Sequence, residues 1–350
     1  MSTIVLTGGG TAGHIIPNLS LIPYLKPHFD KFYYIGTKGG MEEKLVQDAG
    51  LQFFGITTAK LKRQFTPDNF TIPFKIIKGF NQAKKVLKDI KPDVVFSKGG
   101  YVSVPVVYAS KSLGIPVITH ESDLSIGLAN KIISPCAEKV LTAFPETAKQ
   151  VDKGEFVGSP IRKDLFDYDK KSALAYYGFN GEKPIILVLG GSQGSKVINN
   201  CIESITKELL PRFDILHICG KGNLPTEKAN GKVTIEFEPD IKKAFAIADL
   251  AVTRAGANSL FELFALNIPA VAIPLKKGAS RGDQIQNADY FYKKGLLTVV
   301  YEENLTAESL LSAITSTYAD RFNVKRRLSN TPFSSASQKI ADILSTYIKN

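Results

Sequence analysis

The stretch Asp249 to Ala288, DLAVTRAGANSLFELFALNIPAVAIPLKKGASRGDQIQNA, decides the fold because it spells strand, glycine turn, helix, strand, basic loop and helix in succession. Leu250-Ala251-Val252 is a short apolar run closed by Thr253-Arg254-Ala255-Gly256. Asn258 or Ser259 then opens a helix that carries Leu260, Phe261, Leu263 and Phe264. A second buried strand, Pro269 to Pro274, ends in Lys276-Lys277-Gly278 and feeds Arg281, Asp283, Gln284 and Asn287. Polar residues gathered where parallel strands end mark the ligand-binding edge of an open α/β sheet. Glu262 is the one acid among the apolar residues of its helix; it is either a substrate ligand or a surface acid near a helix N-terminus.

The same grammar runs outward through the chain. Upstream, Pro184 to Leu189 is a buried strand, Gly190-Gly191-Ser192-Gln193-Gly194-Ser195 a glycine turn that opens a helix, and Asp214 to Cys219 and Val233 to Phe237 are further strands at α/β spacing. The first half starts the same way, with Thr3 to Thr7 running into Gly8-Gly9-Gly10-Thr11-Ala12-Gly13-His14 before Ile15, Ile16 and Leu19 begin a helix. Gly8, Gly10 and Gly13 fit G-x-G-x-x-G in strand-turn-helix context, and a helix N-terminus there favours anions. A dinucleotide is disfavoured, because the next strand, Phe32 to Gly36, ends in Thr37-Lys38-Gly39-Gly40 and lacks the acid that takes a ribose hydroxyl. Asp93 to Ser97 leads into Lys98-Gly99-Gly100-Tyr101-Val102-Ser103, and Pro116 to Thr119 into His120-Glu121-Ser122-Asp123. Three small polar turns on one sheet edge suit a diphosphate. His14 beside them is either a base near neutral pH or a hydrogen-bonded cap. His28 and His217 are expected to have surface and strand-packing roles.

Gly158-Ser159-Pro160-Ile161-Arg162 follows the strand-like run Glu155 to Val157, and the inter-domain linker is expected just after it. The expected domains are therefore residues 1–162 and 163–333. A final helix, with Ile340, Leu344 and Tyr347 at helical spacing, crosses back to the first. Asp167-Tyr168-Asp169 spells a D-x-D metal triplet, but it lies among lysines and follows no buried strand, which fits a solvated turn better.

Composition bounds the rest. With 350 residues and 44% apolar content the chain has enough for two cores. Cys136, Cys201 and Cys219 are not spaced as a metal site, so a reduced compartment is expected. The start MSTIVLTGGG has no signal-peptide pattern, and no window resembles a membrane span. Residues 60–91 carry nine Lys or Arg against Asp68 and Asp89, most of the chain's net charge of +11. Within them Ile76, Phe80, Ala83, Leu87 and Ile90 form one helical stripe aimed at the sheet, while Phe65, Phe70, Phe74 and Ile77 lie off it. Apolar groups ringed by lysines suit an anionic membrane surface; the alternative is a solvated basic face with buried phenylalanines. Nucleic acid ranks below both, because no nucleic-acid-binding motif accompanies the charge.

The motifs GGGTAGH at Gly8 to His14, KGGYVSVP at Lys98 to Pro105, HESD at His120 to Asp123, GSPIR at Gly158 to Arg162, GGSQG at Gly190 to Gly194, RAGANSLFE and DQIQNA together resemble the MurG family over nearly the whole chain. Its members are UDP-N-acetylglucosamine:undecaprenyl-pyrophosphoryl-MurNAc-pentapeptide N-acetylglucosaminyltransferases of peptidoglycan synthesis. The resemblance implies an α/β GT-B glycosyltransferase fold, two Rossmann-like domains with parallel sheets facing across a cleft. The first domain would bind the lipid I acceptor and the second UDP-GlcNAc. It implies that Glu262 holds the ribose hydroxyls, that Ala257, Asn258 and Ser259 present backbone N–H groups to the pyrophosphate, and that Ser192 and Arg162 contact the nucleotide or its phosphates. Gln284 would bind a sugar hydroxyl. Phe237 and Glu238 fall where the family encloses uracil, and only the backbone of Glu238 carries over, since a more apolar residue is usual there. Thr11, Ala12 and Gly13 match the loop near the donor phosphates and the acceptor diphosphate, and His14 matches the suspected general base. Ala12 stands where glycine is frequent. Asp123 stands where asparagine is frequent; it accepts from a sugar hydroxyl but cannot donate as an amide does, and Asn130 downstream shares its role.

The chemistry so implied is an inverting attack of the acceptor C4 hydroxyl on the anomeric carbon, with no metal and no cofactor. The expected location is the cytoplasmic face of the cell membrane, without a transmembrane segment. Two rival readings remain open: a UDP-GlcNAc 2-epimerase on the same architecture, which needs no basic, aromatic membrane face, and a non-catalytic membrane scaffold.

Overall fold

A computed structural model of the chain describes residues 1–59, 72–191, 194–225, 229–278, 282–331, 333 and 336–349. The polypeptide divides into two compact units, Met1–Arg162 with Ser334–Asn350, and Lys163–Phe333.

In the first unit seven strands form one sheet: β1 (Thr3–Thr7), β2 (Lys31–Thr37), β3 (Gln52–Ile56), β4 (Val94–Ser97), β5 (Val117–Glu121), β6 (Lys139–Thr142) and β7 (Gly154–Phe156). All pairings are parallel, in the order β3-β2-β1-β4-β5-β6-β7. Every residue of β1, β4 and β5 is buried, as strands covered on both faces require. Helices α1 (Ala12–Leu25), α2 (Met41–Asp48), α3 (Ile72–Ile90), α4 (Ser103–Ser112), α5 (Leu128–Ile133) and the short α6 (Pro145–Ala148) connect them. On α3 the expected stripe packs inward: Ala83 and Leu87 are buried with Val95, Val106 and Ile133, and Phe80 and Ile90 lie against them.

The second unit holds six parallel strands, β8 (Ile185–Leu189), β9 (Asp214–Ile218), β10 (Lys232–Ile235), β11 (Ala248–Thr253), β12 (Ala270–Ala272) and β13 (Thr298–Val299), in the order β10-β9-β8-β11-β12-β13. Its helices are α7 (Lys170–Tyr177), α8 (Lys196–Leu209), α9 (Ile241–Ile247), α10 (Ala257–Ala265), α11 (Asp283–Lys293), α12 (Ala307–Ala319) and α13 (Arg321–Ser329). The last helix, α14 (Ala336–Ser345), belongs to the first unit, where Ile340, Ala341 and Leu344 share a core with Leu6, Leu21 and Phe96. Hydrogen bonds hold it there. Ser337 Oγ donates to the Ile161 carbonyl and accepts from the Ile161 N–H, both at 3.0 Å.

Strand ends differ from the sequence pattern in one instructive place. The run Pro269 to Pro274 reads as one strand, yet β12 spans only Ala270–Ala272; neither flanking proline has an N–H to donate, although the Pro269 carbonyl still accepts from the Ala251 N–H and the Ile273 N–H still donates to the Thr253 carbonyl. Asp169 of the D-x-D triplet is the N-cap of α7, accepting from the Ser172 N–H at 2.8 Å.

Gly79 shows how tightly α3 sits. A Cβ there would lie 2.1 Å from the Thr57 carbonyl oxygen, which is backbone and cannot swing aside. Mid-helix Gly→Ala ordinarily stabilises by about 0.5–1 kcal/mol. Here Gly79→Ala should instead destabilise by about 1–3 kcal/mol, the usual penalty of overpacking. Urea denaturation measures it, and a stabilised variant would show that α3 packs less closely than described.

In both units the strand order reverses between adjacent parallel strands, at β1 and β4 in the first and at β8 and β11 in the second. Open α/β sheets bind ligands outside the carboxyl ends of the strands at such switch points.

Candidate active site

At the first switch point two glycine turns interlock. A Cβ at Gly10 (φ +84°) would lie 2.5 Å from the Tyr101 ring, and one at Gly100 (φ +80°) 2.5 Å from the Gly9 carbonyl oxygen. Only glycine lets the loops after β1 and β4 approach so closely. The floor is buried and polar: Tyr34 Oη donates to the Gly8 carbonyl at 2.7 Å, and Asn18 Nδ2 donates to the Thr7 carbonyl at 3.0 Å. Burial, ahead of other causes, raises the Tyr34 phenol's pKa, so it stays a donor.

Thr11, Ala12, Gly13 and His14 lie on the rim of this cradle. Thr11 is the N-cap of α1 and is exposed; its side chain does not cap the helix but meets His14 Nδ1 at 2.9 Å. His14 is half-buried in the first turn of α1, and a Cβ at Gly100 would lie 3.5 Å from its Nδ1.

Behind the rim lies a network that sequence reading did not single out. Lys98, only 2% exposed, sends Nζ to His120 Nδ1 at 2.6 Å and to Ser122 Oγ at 2.5 Å. His120 Nε2 meets the Gly158 carbonyl at 2.8 Å. Burial lowers the Lys98 ammonium to about 7, opposed by the charges of Glu121 and Asp123. His120 is pushed well below the ordinary imidazole value, first by burial and then by Lys98. Glu121 is the buried hub of the following loop, accepting from the N–H groups of Asp123 at 3.0 Å and Gly127 at 2.8 Å.

Asn130 corrects an expectation. It was to share the sugar-binding role of Asp123, but its side chain is spent inside the protein. Nδ2 donates to Glu121 Oε2 at 2.8 Å and to the His120 carbonyl at 3.2 Å, while Oδ1 accepts from Thr119 Oγ1 at 2.9 Å. At 4% exposure it supports Glu121 from below. Asp123 and Arg162 are half-buried, Arg162 at the end of the segment whose Gly158 is held by His120.

At the second switch point α10 begins directly after β11, with Gly256 as an extended N-cap whose first-turn residues are Ala257, Asn258 and Ser259. Glu262 follows on the same helix, half-buried. The turn after β8 is braced by Arg254, another residue that sequence reading passed over. Its Nη2 donates to Ser195 Oγ at 2.7 Å, and its Nη1 to the Ile273 carbonyl at 3.1 Å and Glu302 Oε2 at 2.5 Å. Gln284, on α11, accepts from the Leu275 N–H through Oε1 at 3.1 Å. Glu238 is 5% exposed, with Tyr177 Oη on Oε2 at 2.7 Å and the Asp240 N–H on Oε1 at 2.8 Å. Its carboxylate is thus spent on the fold, and neighbouring Phe237 is 66% exposed. Ser192 and Arg281 lie outside the described residues.

Among the described residues no group of three His, Cys, Asp or Glu side chains is arranged to hold a metal, and no helix is long and apolar enough to cross a membrane. Off the buried stripe of α3, Phe74 is 76% and Ile77 59% exposed, whereas Lys60, Phe65 and Phe70 lie outside the described residues.

The chain as a whole is similar to known proteins over nearly its full length. A protein from Clostridium tetani (strain Massachusetts / E88), 45% identical over 98% of each chain, is named UDP-N-acetylglucosamine--N-acetylmuramyl-(pentapeptide) pyrophosphoryl-undecaprenol N-acetylglucosamine transferase. One of the same name from Lachnospira eligens is 46% identical over 92% of each chain. The crystal structure of Acinetobacter baumannii MurG matches with a TM-score of 0.76 at 25% identity, over 99% of this chain and 100% of that one. The UDP-GlcNAc 2-epimerase of Neisseria meningitidis shares the fold, with a TM-score of 0.69 at 15% identity. Residues 4–142 match the glycosyltransferase family 28 N-terminal domain and residues 185–345 the glycosyltransferase family 28 C-terminal domain, so the chain belongs to glycosyltransferase family 28, among its MurG-type members.

Proposed function

We propose that the chain transfers N-acetylglucosamine from UDP-GlcNAc to the C4 hydroxyl of MurNAc in lipid I, inverting the anomeric carbon and giving lipid II. The observation that carries this is near-full-length similarity, at over 40% identity, to transferases of that name. The epimerase reading rests on fold alone and is not favoured.

In this scheme the donor lies in the second unit. Glu262 accepts from the ribose hydroxyls, and the first turn of α10 at Ala257, Asn258 and Ser259 offers N–H groups and the positive end of its dipole to the pyrophosphate. Arg162 and Ser192 add contacts to the phosphates or nucleotide, and Gln284 donates Nε2–H to a sugar hydroxyl. Uracil stacks near Phe237 and meets the backbone at Glu238. The acceptor diphosphate sits over the glycine turns of the first unit, beside Thr11, Ala12 and Gly13, with Asp123 accepting from an acceptor hydroxyl. His14 is the general base. Its Nδ1 meets Thr11 Oγ1 at 2.9 Å, and in this scheme Nε2 takes the C4 proton. Charge grows on the departing UDP as the glycosidic bond breaks, and preorganised donors stabilise it without a metal or cofactor.

The acceptor is a lipid, and Phe74 and Ile77 with the lysines of α3 form the anionic-membrane contact, on the cytoplasmic face. Each lysine near such a surface contributes roughly 1 kcal/mol. Nucleic acid is not proposed as a partner. Phe74→Ser with Ile77→Ser should reduce binding to phosphatidylglycerol vesicles several-fold in a sedimentation assay while leaving UDP binding intact. Equal binding by the double variant would remove this face from the contact.

The decisive experiment incubates radiolabelled UDP-GlcNAc with a short-chain lipid I analogue and extracts the lipid product. Labelled lipid is expected; the manno epimer from donor alone, or no turnover of either kind, would sink the assignment.

A further inference from the structure

We infer that Lys98 is a positioning residue for Arg162, acting through His120. This rests on the reading of Arg162 as a phosphate ligand.

The geometry runs in one direction. A carbonyl oxygen only accepts, so the contact between His120 Nε2 and the Gly158 carbonyl requires the proton on Nε2. In a neutral imidazole Nδ1 is then an acceptor. His120 is fully buried, so that acceptor depends on a protein donor, and Lys98 Nζ supplies it at 2.6 Å. Lys98 itself is held by Ser122 Oγ on the other side. The low Lys98 and His120 values fit a pair in which the imidazole is neutral and the amine needs no full charge to donate.

Gly158 begins the segment that ends in Arg162. Ser159 and Ile161 are buried, and Ile161 is tied at both its N–H and its carbonyl to Ser337. The segment is therefore clamped at one end by His120 and near the other by Ser337, and Arg162 emerges from the clamp. Lys98 follows β4, His120 is the penultimate residue of β5, and Gly158 follows β7, so the relay crosses the sheet edge from the glycine turn to the arginine. Loss of the lysine leaves a buried imidazole acceptor unpaired and frees the ring to turn away from Gly158.

Lys98→Met removes the donor at similar length. It should weaken UDP binding by about 2- to 30-fold, the span of couplings through packed networks, with kcat changed far less. Lys98→Arg, which keeps a donor, should recover part of the loss. In the Arg162→Ala background Lys98→Met should add nothing further to the UDP dissociation constant. Additive losses in that double variant, or Lys98→Met binding UDP like wild type while Arg162→Ala does not, overturn the inference. Arg162→Ala binding UDP like wild type instead removes the phosphate reading of Arg162, and the inference with it. A measurement on the wild-type protein needs no variant to fold: nitrogen-15 histidine spectra at pH 8 should show His120 as the neutral Nε2–H tautomer. An Nδ1–H tautomer or an imidazolium there also overturns it.

Discussion

His14→Ala should lower turnover by roughly 10²–10⁴-fold while UDP binds as it does to the wild type, because a positioned base contributes that much to the transition state and little to the ground state. The imidazole sits in the first turn of α1, against Gly100 and hydrogen-bonded to Thr11, and not on α10, where the donor is proposed to bind. Its removal therefore leaves the donor contacts whole. Glu262→Ala should give the converse pattern, with a raised KM for UDP-GlcNAc and a smaller change in kcat. Steady-state rates with labelled donor, paired with calorimetric titration of UDP, separate the two. Wild-type turnover in His14→Ala would take that histidine out of the mechanism and leave it as the partner of Thr11.

Arg254→Leu should destabilise the second unit by about 3–5 kcal/mol, the cost of breaking a buried ion pair by removing one partner. The Arg254 side chain is 11% and the Glu302 side chain 10% exposed, so the orphaned carboxylate has little water to turn to. Two further acceptors, Ser195 Oγ and the Ile273 carbonyl, lose a donor in the same change. Ser195 is the N-cap of α8, so the glycine turn after β8 should loosen as well. Arg254→Leu combined with Glu302→Leu should recover much of the loss, since replacing both partners of a buried pair is often close to neutral. Denaturation midpoints measure both variants. A loss under about 1 kcal/mol in the single variant would mark the pair as a solvated one of surface strength.

The architecture was legible because it is written locally. Buried apolar runs that end in glycine turns and open into helices recur through both halves, and such runs form strands covered on both faces. The inward stripe of α3 at Phe80, Ala83, Leu87 and Ile90 was readable from helical spacing. The motif residues Thr11 to His14, Ala257 to Ser259 and Gln284 could be picked out because each lies in a turn or the first turn of a helix next to a glycine.

What only the tertiary structure decided is which of those polar residues face inward. Asn130 reads like a ligand but is consumed by Thr119, His120 and Glu121. Lys98 opens a small polar turn in the sequence but is buried against His120, and Arg254 is tied to Glu302 and Ser195. The partners of Asn130 lie on the strand just before its helix, whereas those of Lys98 and Arg254 come from other strand ends, which a parallel sheet sets side by side. Spacing along the chain records the period of one element. Hydrogen-bond satisfaction across a sheet edge depends on strand order, which here places the turn after β1 beside the turn after β4 and the turn after β8 beside the turn after β11.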